Sequence, residues 1–134
     1  MDMNLGREDE RTEFKESLAQ LDKGIRSLTA MLNRHGEGTV YFGVDDDGEV
    51  IGITVRDDTL SRIRERIRTY VEPMIVADIG EHLSDDGKSY IIIRSKGENT
   101  PYMFDGRIFI RNVSSDERAS VEIARKMLMS GNIG

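Results

Sequence analysis

The sequence predicts an α+β domain, a mixed or antiparallel sheet of about six strands carrying three helices. Two observations lead there. Three Asp-Gly pairs, Asp47-Gly48, Asp86-Gly87 and Asp105-Gly106, each lie between segments able to form strands. Three other segments space their apolar residues at intervals of three and four, the period of a helix. The order that results is strand, helix, hairpin, helix, hairpin, hairpin, helix, within one domain spanning 1–134 whose first ten residues are expected to be flexible.

The first strand is read at Arg11–Glu16. The first helix runs from about Asp22, as N-cap, to about Arg34. Its apolar stripe is Ile25, Leu28 and Leu32, and Gly36 follows as C-cap. Asp47-Gly48 then joins Thr39–Val44 to Glu49–Ile53. Asp-Gly favours a type I′ turn because both central residues need positive φ. The second helix extends from about Asp58 to Val71, ahead of Pro73, with Leu60, Ile63, Ile67 and Tyr70 on one face. After Asp86-Gly87 comes Ser89–Ile93, a continuous apolar run that reads as a strand buried on both faces. Asp105-Gly106 joins Tyr102–Phe104 to Arg107–Arg111. The last helix follows Ser120, with a stripe of Val121, Ala124 and Leu128 beside Ile123 and Met127.

Composition excludes several classes of function. No cysteine is present, which removes disulfides, zinc knuckles and thiol nucleophiles, and two histidines far apart give no His-rich metal motif. No apolar run approaches the roughly 18 residues of a membrane helix. The acidic start resembles neither a signal nor a transit peptide, so the expected compartment is the cytoplasm. Nineteen bases against 25 acids give a net charge of −6, so any nucleic-acid binding needs a segregated basic patch. The charge is uneven: residues 88–111 hold Lys88, Arg94, Lys96, Arg107 and Arg111 against Glu98 and Asp105.

Several motifs bear on chemistry. Gly87-Lys88-Ser89 lacks both the upstream glycine and the downstream helix of a phosphate loop, so no ATP site is expected. Asp45-Asp46-Asp47-Gly48 has Val50 where a calcium loop needs glycine. Arg62 and Arg66 flank one side of the second helix's apolar stripe, and Arg64 and Arg68 the other. Arg107, Phe109 and Arg111 alternate with Ile108 and Ile110. That pattern suits either a phosphate-binding and base-stacking strand or a strand whose Phe109 lies under a helix. Acids crowd the N-terminal region, and Glu13, with Asp45, could supply hard oxygen ligands to a divalent cation.

Six pieces in order carry a family resemblance: Thr12-Glu13-Phe14-Lys15-Glu16-Ser17, Leu28–Asn33, Gly36–Asp45 with Gly48–Gly52, Glu72-Pro73, Thr100-Pro101-Tyr102, and Arg111–Ser115. Together they resemble the Schlafen AlbA-like domain, also labelled divergent AAA, from about Glu8 to Met129. The resemblance implies an α+β nucleic-acid-binding module, DNA before RNA, of the kind found in helicase-related transcriptional regulators beside further domains. On this reading the contact residues are Lys15, Arg62, Arg66, Arg107, Phe109 and Arg111, and no cofactor is needed. The alternative implied by similar vertebrate proteins is an endoribonuclease acting on structured RNA, with Glu8, Glu13 and Asp45 holding Mg²⁺ or Mn²⁺. A homodimer is a further implied assembly, and a non-catalytic dimerisation or partner-binding module is the third reading.

Overall fold

A computed structural model describes residues 3–130. The elements are β1 (Thr12–Lys15), α1 (Leu21–His35), β2 (Glu37–Phe42), α2 (Thr59–Tyr70), β3 (Val71–Glu72), β4 (Ala77–Leu83), β5 (Ser89–Lys96), β6 (Met103–Phe104), β7 (Arg107–Asn112), β8 (Ser115–Arg118) and α3 (Val121–Ser130). The fold is α+β with three helices, as predicted. The strands, however, form two four-stranded sheets, ordered β1-β2-β5-β4 and β3-β6-β7-β8. Among the described strands only β1 and β2 run parallel, with α1 as their crossover.

The division into two sheets follows from α1. A helix with one apolar stripe covers one surface, but α1 buries Gly24, Ile25, Ser27, Leu28, Thr29, Ala30, Met31, Leu32 and Asn33, which lie all around it. Ile25, Leu28 and Met31 pack with Val40, Phe42, Ile91 and Ile93 of the first sheet. On its other side, Asn33 Nδ2 donates to the Phe109 and Tyr102 carbonyls, and its Oδ1 accepts from the Tyr102 amide at 2.7 Å. The helix is thus the middle layer. The predicted stripe was correct but incomplete, because small and polar residues complete the buried surface. Asp22 is not the N-cap: a 3₁₀ turn at Leu18–Gln20, capped by Ser17, precedes α1, and Asp22 lies in its first turn. Gly36 closes the helix in the left-handed region at φ 76°, as expected.

All three Asp-Gly pairs lie in turns. Only Asp105-Gly106 has positive φ at both residues, 50° and 75°. Asp86-Gly87 closes the β4–β5 hairpin, where the Gly87 amide donates to the Ser84 carbonyl. Asp47-Gly48 closes a loop bridged by Val44 and Val50, so Glu49–Ile53 is not a strand. A hairpin without an Asp-Gly pair, β7–β8, turns at Val113-Ser114 with Val113 at φ 59°.

Three further expectations change. Ser89–Ile93 is not buried on both faces: Ile91 and Ile93 face α1, while Ile92 is half-exposed on the opposite side. In α3 the buried face is Ile123, Ala124 and Met127, packed on Ile108 and Ile110, whereas Val121 and Leu128 are exposed. The segment expected to be flexible makes specific contacts. Met3 and Leu5 pack beside Phe14, Val44 and Val50, the Leu5 amide donates to the Gly48 carbonyl, and Asn4 bridges to Glu49. Residues 1 and 2 lie outside the described residues. Among the described residues no helix is long and apolar enough to cross a membrane.

Candidate nucleic-acid interface

The predicted contact residues do not form one surface. β7 places Ile108 and Ile110 towards α3, so Arg107, Phe109 and Arg111 point to the other side of the second sheet, where α1 packs along the strand and covers its Phe109–Arg111 end. Phe109 lies under the Arg26 guanidinium, 5.3 Å from the ring centroid. Arg111 is fully buried. Its Nη1 donates to Glu13 Oε2 at 3.2 Å and Asp116 Oδ1 at 2.8 Å, and its Nη2 to the Asp9 and Thr12 carbonyls at 2.9 and 3.1 Å. It is a structural clamp between β7, β8 and the β1 region, not a phosphate ligand. Arg107 remains exposed, 3.7 Å from Asp105.

The second-helix pair is divided as well. Arg66 forms a two-pronged pair with Asp22 at 2.7 and 2.8 Å and lies over Tyr70. That hydrogen bonding holds the Asp22 carboxyl below its ordinary range and raises the Arg66 pKa. Both belong to a groove of about 550 Å³ between the start of α1 and α2, where Asp22 and Glu65 offset Arg62 and Arg66. Arg62 is exposed beside Asp58.

The acids do not assemble a metal site. Glu8 Oε1 accepts from the Phe14 amide at 3.0 Å. Glu13 is buried between Lys15, whose Nζ donates to it at 3.5 Å, and Arg111. Burial pushes the Glu13 carboxyl up against the pull of those two cations, and Glu8 and Asp116 push the same way. Asp45 Oδ1 accepts from the Asp47 and Glu49 amides and so holds its own turn together. Among the described residues no three acidic or histidine side chains gather as a cation would require. Engaged in this way, these donors do not fit Mg²⁺ or Mn²⁺.

A different surface brings bases and rings together. Paired residues share a sheet face, and Val40, Phe42, Ile91 and Ile93 face α1. The opposite face of the first sheet therefore carries Glu37, Thr39 and Tyr41 from β2, Tyr90, Ile92, Arg94 and Lys96 from β5, and Asp78, Gly80 and His82 from β4. The N-terminal segment and the 44–50 loop cover the Phe14 and Tyr90 end, with Tyr41 and Ile92 half-buried at the margin of that cluster, while Asp78, His82, Arg94 and Lys96 are exposed. Arg94 and Lys96 are exposed and, among the described residues, have no ion-pair partner. With Arg11, which pairs with Glu37 at 3.4 Å, they border a shallow hollow of about 170 Å³ over Thr39. Tyr41 is half-buried, edge-on to Phe14 at 5.5 Å. His82 stacks on Tyr90 at 5.6 Å with an interplanar angle of 28°. Sequence reasoning passed over this group because Ile91–Ile93 read as buried throughout. The alternation of Ile92, Arg94 and Lys96 was the signal available.

Residues 8–120 match the sequence profile of the family described as "Schlafen, AlbA_2". The chain belongs to the Schlafen AlbA_2 family. That membership points to a nucleic-acid-related domain. The fold is also similar to the DIP2311 protein from Corynebacterium diphtheriae, with a TM-score of 0.69 at 17% identity, over 92% of this chain and 24% of that one. The chain thus spans about a quarter of the length of that solved structure. No curated protein matches it.

Proposed function

We propose that this chain is a nucleic-acid-binding module whose contact surface is the open face of the first sheet. The observation that carries the reading is the juxtaposition of two exposed bases without ion-pair partners among the described residues, Arg94 and Lys96, with Arg11, the half-buried Tyr41 ring and the exposed His82 ring on one pleated surface. Bases supply phosphate contacts and rings supply stacking faces. The Schlafen AlbA_2 fold supports the class of ligand, with DNA as the first polymer to test.

The overall charge of −6 opposes attraction to a polyanion, so the local patch must overcome it and binding should weaken steeply with salt. The test is a fluorescence-anisotropy titration with labelled DNA at several salt concentrations. Arg94→Ala with Lys96→Ala should lower affinity and flatten the log–log salt slope by roughly 0.7–0.9 for each phosphate no longer neutralised. Arg107→Ala on β7 should leave both unchanged. Wild-type affinity in the double variant would refute the assignment of this face.

A further inference from the structure

We infer that the open sheet face recognises single-stranded nucleic acid through unpaired bases, in preference to a duplex; this rests on the reading of that face as the contact surface. The inference comes from where the rings sit. Tyr41, Ile92 and Gly80 form one row across β2, β5 and β4, and His82 lies two residues further along β4. Strand spacing of about 4.8 Å and a rise of about 3.4 Å per residue put the Tyr41 and His82 backbones roughly 12 Å apart. Stacked bases in a duplex follow one another at about 3.4 Å along each strand. A continuous helical stack cannot lay one base on each of two platforms so widely separated, but a splayed single strand can.

The local surroundings suit that role. Tyr90 is buried and His82 is exposed, so the free ring face at the end of their stack belongs to His82, where a base would extend the stack. Gly80 carries no side chain, and a Cβ there would stand 3.4 Å from His82 Nε2. The absence of a side chain at Gly80 thus leaves the His82 ring space to lie close to the strand, beside Ile92. Ile92 lies in the same row and adds apolar contact. Arg94 and Lys96 sit one and two alternate positions further along β5, and Arg11 borders the same end. The three bases, interspersed with Glu37 and Asp78, thus lie beside the rings rather than among them, as needed for phosphates to run along one edge while bases turn inward. The described surface also offers duplex DNA no protruding basic element here; the arginine-rich α2 packs against α1 and β4, on the far side of the sheet.

The experiment compares labelled twelve-residue oligo-dT and oligo-rU with a twelve-pair DNA hairpin, at one low salt concentration, against the wild type and two double variants. Wild type should bind one or both single strands at least about tenfold more tightly than the duplex. Tyr41→Leu with His82→Leu keeps apolar bulk while removing both rings. It should weaken single-strand binding by about tenfold or more and leave duplex binding within about twofold. Arg94→Ala with Lys96→Ala should weaken both. Equal or tighter binding of the duplex by wild type, or unchanged single-strand binding by the ring variant, would overturn the inference while leaving the nucleic-acid reading in place. Absence of binding to every probe would remove that reading, and this inference with it. Circular dichroism of each variant should show the wild-type fold.

Discussion

Replacing Arg111 by alanine should remove a large part of the stability of this domain. The guanidinium has a side-chain exposure of 0%, and the Glu13 and Asp116 side chains 7% and 8%. Its two terminal nitrogens serve two carboxylates and two backbone carbonyls, drawn from the residue 9–13 segment and from β8. Alanine removes the cation that the two buried carboxylates share: Asp116 is left with the Ser27 hydroxyl and no cation, Glu13 is left with Lys15 alone, and the Asp9 and Thr12 carbonyls each lose one of their two donors. Breaking a buried pair by removing one partner costs about 3–5 kcal/mol. A domain of this size has about 5–15 kcal/mol in total, so the loss is a third or more of it at mid-range. Arg111→Lys keeps the charge but cannot reach four acceptors in a fork, and should cost about 1–3 kcal/mol. Arg107→Ala, four residues earlier on the same strand and exposed, should cost at most about 0.5 kcal/mol. Urea unfolding followed by far-ultraviolet circular dichroism measures all three. An Arg111→Ala variant within about 1 kcal/mol of wild type would refute the claim that this residue clamps β7 and β8 to the β1 region. So would a variant in which Glu13→Gln with Asp116→Asn failed to recover any of the loss.

Three further outcomes follow from other parts of the fold. Gly24→Ala, although alanine favours helices, should destabilise by about 1–3 kcal/mol in the same urea assay, because its Cβ would stand 2.5 Å from Phe42 Cζ in the core. Val113→Gly should stabilise by about 1 kcal/mol, read as a raised urea midpoint, because a β-branched residue holds φ 59° at the β7–β8 turn. Burial, with help from the charges of Arg11, Arg34 and Arg111 and against that of Glu10, lowers the His35 pKa below its ordinary 6.5. The unfolded chain then binds the proton more readily, so His35 contributes stability that is intact above 6.5 and lost as pH falls below it. His35→Gln should remove that part of the pH dependence, and an NMR titration in which His35 titrates above 6.5 would contradict it.

Much of the fold was legible because it depends on local chemistry. Gly36 at the end of α1, the 3, 4, 3 spacing of α2 and the Asp105-Gly106 turn are fixed by neighbouring residues in the chain. The two-sheet arrangement was not, because it depends on Thr29, Ala30 and Asn33 being buried, and no pattern of apolar residues marks them. The β7 strand shows the limit most clearly. Its alternation correctly separated Ile108 and Ile110 from Arg107, Phe109 and Arg111, but alternation says only that there are two faces. That α1 covers the Phe109–Arg111 end of the basic one, and that Arg111 finds Glu13 at a separation of 98 residues, is a tertiary fact. Glu8, Glu13 and Asp45 likewise lie where the family pattern puts acids, yet their oxygens are engaged by the Phe14 amide, by Lys15 and Arg111, and by the Asp47 and Glu49 amides. On the open face, the residues that gather belong to β2, β4 and β5, and only strand register brings them together.

The most direct test of the central claim is an amide chemical-shift map of the ¹⁵N-labelled protein titrated with oligo-dT at low salt. The account predicts that the largest changes cluster at Thr39, Tyr41, Gly80, His82, Ile92, Arg94 and Lys96, with β7 and α2 little affected. Changes centred instead on Arg107–Arg111 or on Arg62–Arg68, with the first sheet silent, would contradict it.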